Sequence, residues 1–479
     1  MFRTSLITAM ILFTTSQAHG QRPTVGGLFA YAINDVLESY DPADERIRIH
    51  YSSDGPNAVN LADGNGNATP DYVEVVAEVA LEALELYQST LGLHPPLPEA
   101  GFLIGDDGGS NAMDFYLVDF EGSSDGFFGA DACGEDLRCT GHMVVENDFH
   151  GYAYSSPREG LETVVPHELF HAVQAAYNGS LPSWLSEGSA VWAERAYDVS
   201  SRDFLYFANA YLEDTGRSLT KPPAGPVPAF AYGTALFWHF LTERHDDLLM
   251  ASILASAEGL TSDDAIIDSI AAVLEHEGDT IRAAWPEFAI ANLATGNRSG
   301  LIDSHPDAER LDGVRAEEED RTIDDQERFY PLAATYYRID HPGGALYQSI
   351  DEAVSDLIFT LHPVENDAAD GAVGPAINTW GGAELGPNLI AEDLNAGGYW
   401  LVAANSATSG SSSRIRLCMG TLSLTESCAL SRETQEAEVE EEEREPSGGC
   451  QQASGSHWLW LILGLGALSR RKRTQHYAR

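Results

Sequence analysis

Residues 164–174 read VVPHELFHAVQ, and this stretch constrains the fold more tightly than any other. In a helix, His167 and His171 stand four residues apart, so both rings leave one face and can converge on one point. Two imidazoles can begin the shell of a metal ion such as Zn²⁺ but cannot complete it, because zinc sites take at least three protein ligands. The helix must therefore pack against another element that brings a further ligand. A turn, NGSLPS, and a second apolar segment, WLSEGSAVWAE at 184–194, follow directly. They carry Glu187, sixteen residues after His171, and Glu194, two turns further along the same face. Helix, turn, helix is the arrangement that folds a distant carboxylate back onto two histidines.

H-E-x-x-H followed by W-L-x-E-G-x-A-x-x-x-E closely resembles the active-site segment of gluzincins of the membrane aminopeptidase type, over residues 163 to 194. The resemblance implies Zn²⁺ held by His167, His171 and Glu187, with Glu168 as general base toward a water at the open coordination position. Glu194 then either orients a ligand from behind or replaces Glu187 as the ligand. Tyr232, in FAYGTALFWHF, is a candidate oxyanion donor on the Tyr-Gly motif of such peptidases, or else an ordinary packing tyrosine. Departures from the pattern are informative. The spacing to the third ligand is shorter than is usual in the family. Pro166 directly precedes His167, which suits a helix that Thr163 caps, with Pro166 in its first turn. The exopeptidase motif G-x-M-E-N has no good copy, since GHMVVEN carries two extra residues between Met and Glu. An endopeptidase is expected, with MVVENDF as the sheet-edge strand along which an extended substrate pairs. His142, His150 and His239 have no partner at ligand spacing and are expected to be structural or exposed.

A second loop, DGNGNATPDYVE at 63–74, resembles EF-hand-like and dockerin-like calcium loops. Asp63, Asn65, Asn67 and Asp71 would supply side-chain oxygens to Ca²⁺, Thr69 a carbonyl and Glu74 a bidentate carboxylate. Ala68 stands where Gly is usual, and Pro70 is unusual. The alternative is an Asn/Gly turn in which Asp71 caps the helix that follows.

The chain carries 74 acidic and 27 basic residues, a net charge of −47. Phosphate contacts need clustered Lys and Arg, so nucleic acid is excluded as an expected partner. Residues 1–20 have an early Arg, a short apolar run and small residues near Ala18, the pattern of a secretory signal peptide. At the other end, a Cys beside glycines (Cys450), an apolar run from Trp458 and a basic cluster at 470–473 resemble the myxobacterial C-terminal sorting tag. That resemblance implies a sorting and processing peptidase as partner, Cys450 as the attachment point, and a place on the outer cell surface. The apolar run is too short for a spanning helix, which needs roughly 20 residues. In an oxidising compartment Cys133 with Cys139, and Cys418 with Cys428, are expected to pair.

The organisation that follows is α+β. A signal peptide (1–20) precedes a zincin-like metallopeptidase domain of mixed sheet and active-site helices (21–320). Then come a small antiparallel β-sandwich (321–430), an acidic spacer (431–449) and the sorting tag (450–479). Strand-like runs such as DLIFTLHPV and GYWLVAANS carry the sandwich expectation, and LNAGGYWLVAAN resembles a strand of domains appended to secreted bacterial peptidases. DYVEVVAEVALEALELYQSTLG has the apolar spacing of a long amphipathic helix. The functional expectation is a secreted, surface-anchored zinc peptidase acting on proteins or peptides. The other reading is a calcium-stabilised surface-binding or adhesion protein with an inactive peptidase fold. Nothing in the sequence sets the oligomeric state.

Overall fold

A computed structural model describes residues 21–26, 29–102, 106–319, 323–365 and 370–429. The segments expected to be a signal peptide (1–20), an acidic spacer (431–449) and a sorting tag with Cys450 (450–479) lie outside these residues. The described residues gather into one compact unit.

The first layer is a mixed sheet with strand order β1-β2-β3-β5-β4. Its strands are β1 (Leu37–Tyr40), β2 (Ile47–Ser52), β3 (Met113–Val118), β4 (Gly126–Cys133) and β5 (Cys139–Glu146). β2, β3 and β5 run parallel, while β1 and β4 close the two edges antiparallel. All six residues of β3 and all eight of β5 are buried. Strands covered on both faces read as near-continuous apolar runs, which is how MDFYLV and HMVVE look in the sequence. One face, with Phe115, Leu117, Met143 and Val145, joins the helical core. The opposite face, with Tyr116, Val118 and Val144, is packed by Phe29, Tyr31 and Phe127. The edge strand is β4, not the MVVE segment, which lies inside the sheet as β5 between β3 and β4. The apolar run that suggested an edge is the mark of an interior strand.

Against the first face lie α1 (Asp71–Glu85), ending in a π-turn at Leu86–Thr90, and α2 (Pro157–Tyr177). α2 begins well before Thr163. Ser156 is the N-cap, its hydroxyl accepting from Glu159 N at 3.1 Å, and Pro157 opens the helix. Ser followed three residues on by Glu, with Pro first, is a stronger start signal than Thr163. Thr163 instead donates back to the Glu159 carbonyl at 3.0 Å. Pro166 is thus interior to the helix, where its missing N–H removes one backbone bond just ahead of His167.

The helices continue as α3 (Ser183–Tyr197), α4 (Arg202–Leu212), α5 (Ala229–Gly233), α6 (Ala235–Arg244), α7 (Leu249–Ser256), α8 (Asp263–His276) and α9 (Ile281–Leu293). Among the described residues, no helix is long and apolar enough to cross a membrane.

Strands follow: β6 (Glu317–Glu319), β7 (Ile323–Phe329), β8 (Ala333–Ile350), β9 (Val354–Pro363), β10 (Asn378–Gly382), β11 (Asn388–Asn405) and β12 (Ser413–Gly420). They form one sheet, order β10-β9-β11-β8-β12-β7, antiparallel throughout except for β6 alongside β8. Residues of β7, β8, β9, β11 and β12 pack into an apolar cluster of their own. The long strands β8 and β11 run beside each other, and their register shifts between Leu389 and Leu394, where Gly344 (φ +94) pairs with Leu394 and Gly343 (φ +97) lies close to Ala396. A side chain at Gly343 would be strained in that backbone conformation and crowd Ala396, so glycine suits the position. The composition does change at 320/321, helices before and strands after; the strands keep an apolar cluster of their own and also pack against the helices. Trp285 Nε1 donates to the Ala333 carbonyl and the Tyr336 hydroxyl to that of Ala289, while Trp400, Val402 and Ala404 join the helical cluster.

Both expected disulfides form. Cys133–Cys139 clips β4 to β5 at directly paired positions, and Cys418–Cys428 ties β12 to the helical segment at 422–429 that follows it.

Candidate metal centre

α2 and α3 meet in a helical hairpin, and their facing sides bring His167, His171 and Glu187 together. Nε2 of His167 lies 3.2 Å from Nε2 of His171, and Glu187 Oε2 lies 3.5 and 3.4 Å from those two atoms. A tetrahedral ion with ligands at about 2.1 Å requires its ligand atoms to be about 3.4 Å apart. The three atoms form one face of such a tetrahedron. The far sides of both rings are spoken for. His167 Nδ1 lies 2.5 Å from Glu194 Oε1 and His171 Nδ1 lies 2.8 Å from Gln174 Oε1. Those acceptors can take the ring protons on Nδ1, which leaves each Nε2 facing inward to offer a lone pair when its ring is neutral.

Electrostatics point the same way. Burial resists protonation of His167 and His171, but the carboxylates around them, Glu187 foremost, push both above the ordinary histidine range. Burial would raise Glu187 too, yet His171 and His167 outweigh it and hold its carboxyl far below the usual range. A pocket that favours imidazolium and carboxylate is one in which positive charge is stabilised. The only other trio of possible ligands among the described residues is Asp324 with Cys418 and Cys428, and those two sulfurs are joined as a disulfide.

Glu194 is 2% exposed and sits behind His167, on the side away from the triangle. Of its two expected roles, this geometry fits the orienting one. Glu168, 6% exposed, is raised above the usual carboxylate range by burial, with Glu187 and Asp125 adding to the push and the two histidines opposing it. Tyr232, on α5, lays its ring along that of His167 at 5.9 Å. Burial, with Glu187 and Glu168, lifts its phenol well above the tyrosine range, so it keeps its proton and can donate.

Sequence reasoning missed three partners. Gln174 stands three residues beyond His171, within reach on the same helix face, and its amide is fixed by the Ser186 carbonyl (2.7 Å) and Ser189 Oγ (2.9 Å); the i, i+3 rule could have found it. Asp125, just before β4, is partly exposed and takes a 2.8 Å hydrogen bond from Tyr154. Nothing local in the sequence marks Asp125 or Tyr154. Gly126 explains the close approach: a Cβ there would lie 2.5 Å from Val164 Cγ1 and 3.1 Å from Glu168 Cγ. The edge strand thus starts directly against Glu168. His142 is fully buried against Asp131, and His150 is exposed. His239 lies among helices against Phe204, away from any ligand set.

The loop at 63–74 wraps upon itself. Asp63 accepts from the N–H groups of Gly66, Asn67 and Ala68, and Asn65 and Asn67 donate to Glu74 at 2.9 and 2.6 Å. Asp71 turns back to Gly64 N, and Thr69 N donates to Asn67. Ala68 adopts φ +74, the backbone state for which such loops use glycine. Asp71 is not the cap of α1; Pro70 is, without a side-chain bond.

No family model matches this chain, and no curated protein matches it in sequence.

Proposed function

We propose that this chain is a zincin-like zinc peptidase, secreted and held at the cell surface, that cleaves within protein or peptide chains. The observation that carries the reading is the inward triangle of His167 Nε2, His171 Nε2 and Glu187 Oε2, at 3.2 to 3.5 Å. When bound there, Zn²⁺ would supply a Lewis acid that activates water and polarises a carbonyl.

The chain's own residues do the rest. Glu168, next to the first ligand and lifted by burial, takes up a proton and returns it to the leaving amine. Tyr232 keeps its phenolic proton and donates it to the oxygen that gains charge. Glu194 and Gln174 hold the two rings in one tautomer and orientation. The unpaired edge of β4 offers an extended substrate a strand to pair with. Ca²⁺ at 63–74 belongs to the same proposal, with Asp63, Asp71 and Glu74 as its charged ligands and the start of α1 as the element it braces.

The test compares the mature chain with Glu168→Gln for zinc content and casein hydrolysis. The expected result is about one zinc per chain in both, with hydrolysis lost in the variant. No zinc in either after metal loading would overturn the reading and leave the calcium-stabilised binding protein in its place. For the calcium part, melting temperature is read with Ca²⁺ and with a chelator. Saturation at about a hundredfold over Kd stabilises by about 2.7 kcal/mol, and Glu74→Gln should remove that response. An unchanged melting temperature with Ca²⁺ would refute the calcium site.

A further inference from the structure

The face of the first sheet turned away from α2 carries a buried charge network that the proposed chemistry does not use. Arg22 is 3% exposed, although it stands in a segment that precedes every strand and helix. Its guanidinium reaches Asp131 from Nη2 at 2.7 Å and from Nε at 3.2 Å, Tyr116 from Nη1 at 3.1 Å, and also Asp114 and Glu99. His50 lies 2.8 Å from Asp114 and His142 lies 3.0 Å from Asp131. Asp114 and His142 are fully buried and Glu99 is 4% exposed. Three carboxylates withdrawn from water need a cation, and among the described residues Arg22 is the arginine or lysine that reaches all three.

The same segment holds on a second time. Phe29 packs edge-on against Phe120 at 4.5 Å and lies 5.8 Å from Phe127, and the Tyr31 hydroxyl donates to the His50 carbonyl at 3.0 Å. Two of these anchors, Asp131 and Phe127, belong to β4. Among the described residues β4 is an edge strand, paired on one side only, and it begins at Gly126, where a Cβ would lie 3.1 Å from Glu168 Cγ. The described contacts of Arg22, Phe29 and Tyr31 all lie on the face opposite the helical core, so none of them covers the cleft.

We infer that Arg22 is a positioning residue: it fastens the N-terminal segment onto β4 and through β4 holds Asp125 and Gly126 in place against Glu168. The segment is a working part of the folded enzyme and not an inhibitory one to be removed. The activity readout rests on the peptidase reading; the structural readout does not.

The experiment compares the mature chain with Arg22→Met, Arg22→Lys and Phe29→Ala. Amide hydrogen exchange is followed over 126–133, with β1 on the far edge as control, and kcat, KM and zinc content are measured where circular dichroism shows a folded chain. In Arg22→Met, exchange should quicken in 126–133 but not in β1. kcat should fall ten- to a hundredfold, the loss that a displacement of about 1 Å brings, with KM and zinc nearly unchanged. Arg22→Lys should recover part of kcat, because it restores the charge without the fork. If Arg22→Met does not fold, Phe29→Ala and Arg22→Lys carry the same comparison. Higher activity in any variant, unchanged kcat in a folded variant, or equal quickening across the sheet would overturn the inference. Should the wild type hydrolyse nothing, the peptidase reading fails and the exchange pattern still decides the brace.

Discussion

Replacing Glu194 tests the proposed metal site, because the carboxylate touches His167, a proposed ligand, and stays off the triangle of His167, His171 and Glu187. It is 2% exposed and lies 2.5 Å from Nδ1 of His167. Glu194→Gln keeps an acceptor for that proton but removes the charge, and Glu194→Ala removes both. Partners of this kind are worth about ten- to a hundredfold in metal affinity, or about 1.4 to 2.7 kcal/mol. A charge-assisted hydrogen bond is about twice as strong as a neutral one, so the glutamine variant should fall near tenfold and the alanine variant near a hundredfold. Glu187→Gln, which alters the triangle itself, should lose more than either. Zinc affinity is measured by competition with a chromophoric chelator, on protein stripped of metal and checked for folding. If Glu187→Gln keeps zinc while Glu194→Gln loses it, the assignment of the two carboxylates is reversed. Equal affinity in all four proteins would refute the reasoning altogether.

Three further outcomes follow from the surroundings of the site. Gly126→Ala puts a methyl 2.5 Å from Val164 Cγ1 and 3.1 Å from Glu168 Cγ; it should cost about 1–3 kcal/mol in urea unfolding and lower kcat, and wild-type values for both would contradict the packing. Asp125 raises the pKa of Glu168, so Asp125→Asn should lower it and move the acid limb of the kcat/KM profile to lower pH; a shift to higher pH, or none, counts against that coupling. His239 is held down to about 3 by burial, with both ring nitrogens buried and unpartnered. The folded state therefore binds fewer protons than the unfolded one between pH 6.5 and 3. His239 contributes stability above pH 6.5, lost on acidification at up to about 1.4 kcal/mol per pH unit. His239→Phe should make unfolding free energy fall less steeply between pH 7 and 5, and an unchanged slope would show that His239 is not the group responsible.

The legible parts of this protein are those governed by short-range periodicity. Four-residue spacing put His167 and His171 on one face, and the turn at NGSLPS implied a hairpin that returns Glu187. Alternation and apolar runs marked β3, β5, β8, β9, β11 and β12. Local signals misled where two competed. Thr163 looked like a cap because Pro166 seemed to demand a nearby helix start, whereas Ser156 and Pro157 start α2 and leave Pro166 inside it. The run MVVE suggested an edge facing substrate, but burial on both faces is what makes a strand apolar throughout.

Taken alone, the sequence singled out the three residues of the inward triangle, the two disulfide pairs and the change from helices to strands near residue 320, since each depends on residues close in the chain or on residue type. Only the tertiary structure decided that Glu194 stands behind His167, that β4 is the edge strand and that Asp125 borders Glu168. It alone brought Arg22 to Asp131, 109 positions away, and seated Trp400, Val402 and Ala404 in the helical core. Those outcomes depend on which surfaces bury each other. Packing between distant segments is chosen by the whole chain's gain from leaving water, and no window of the sequence contains it.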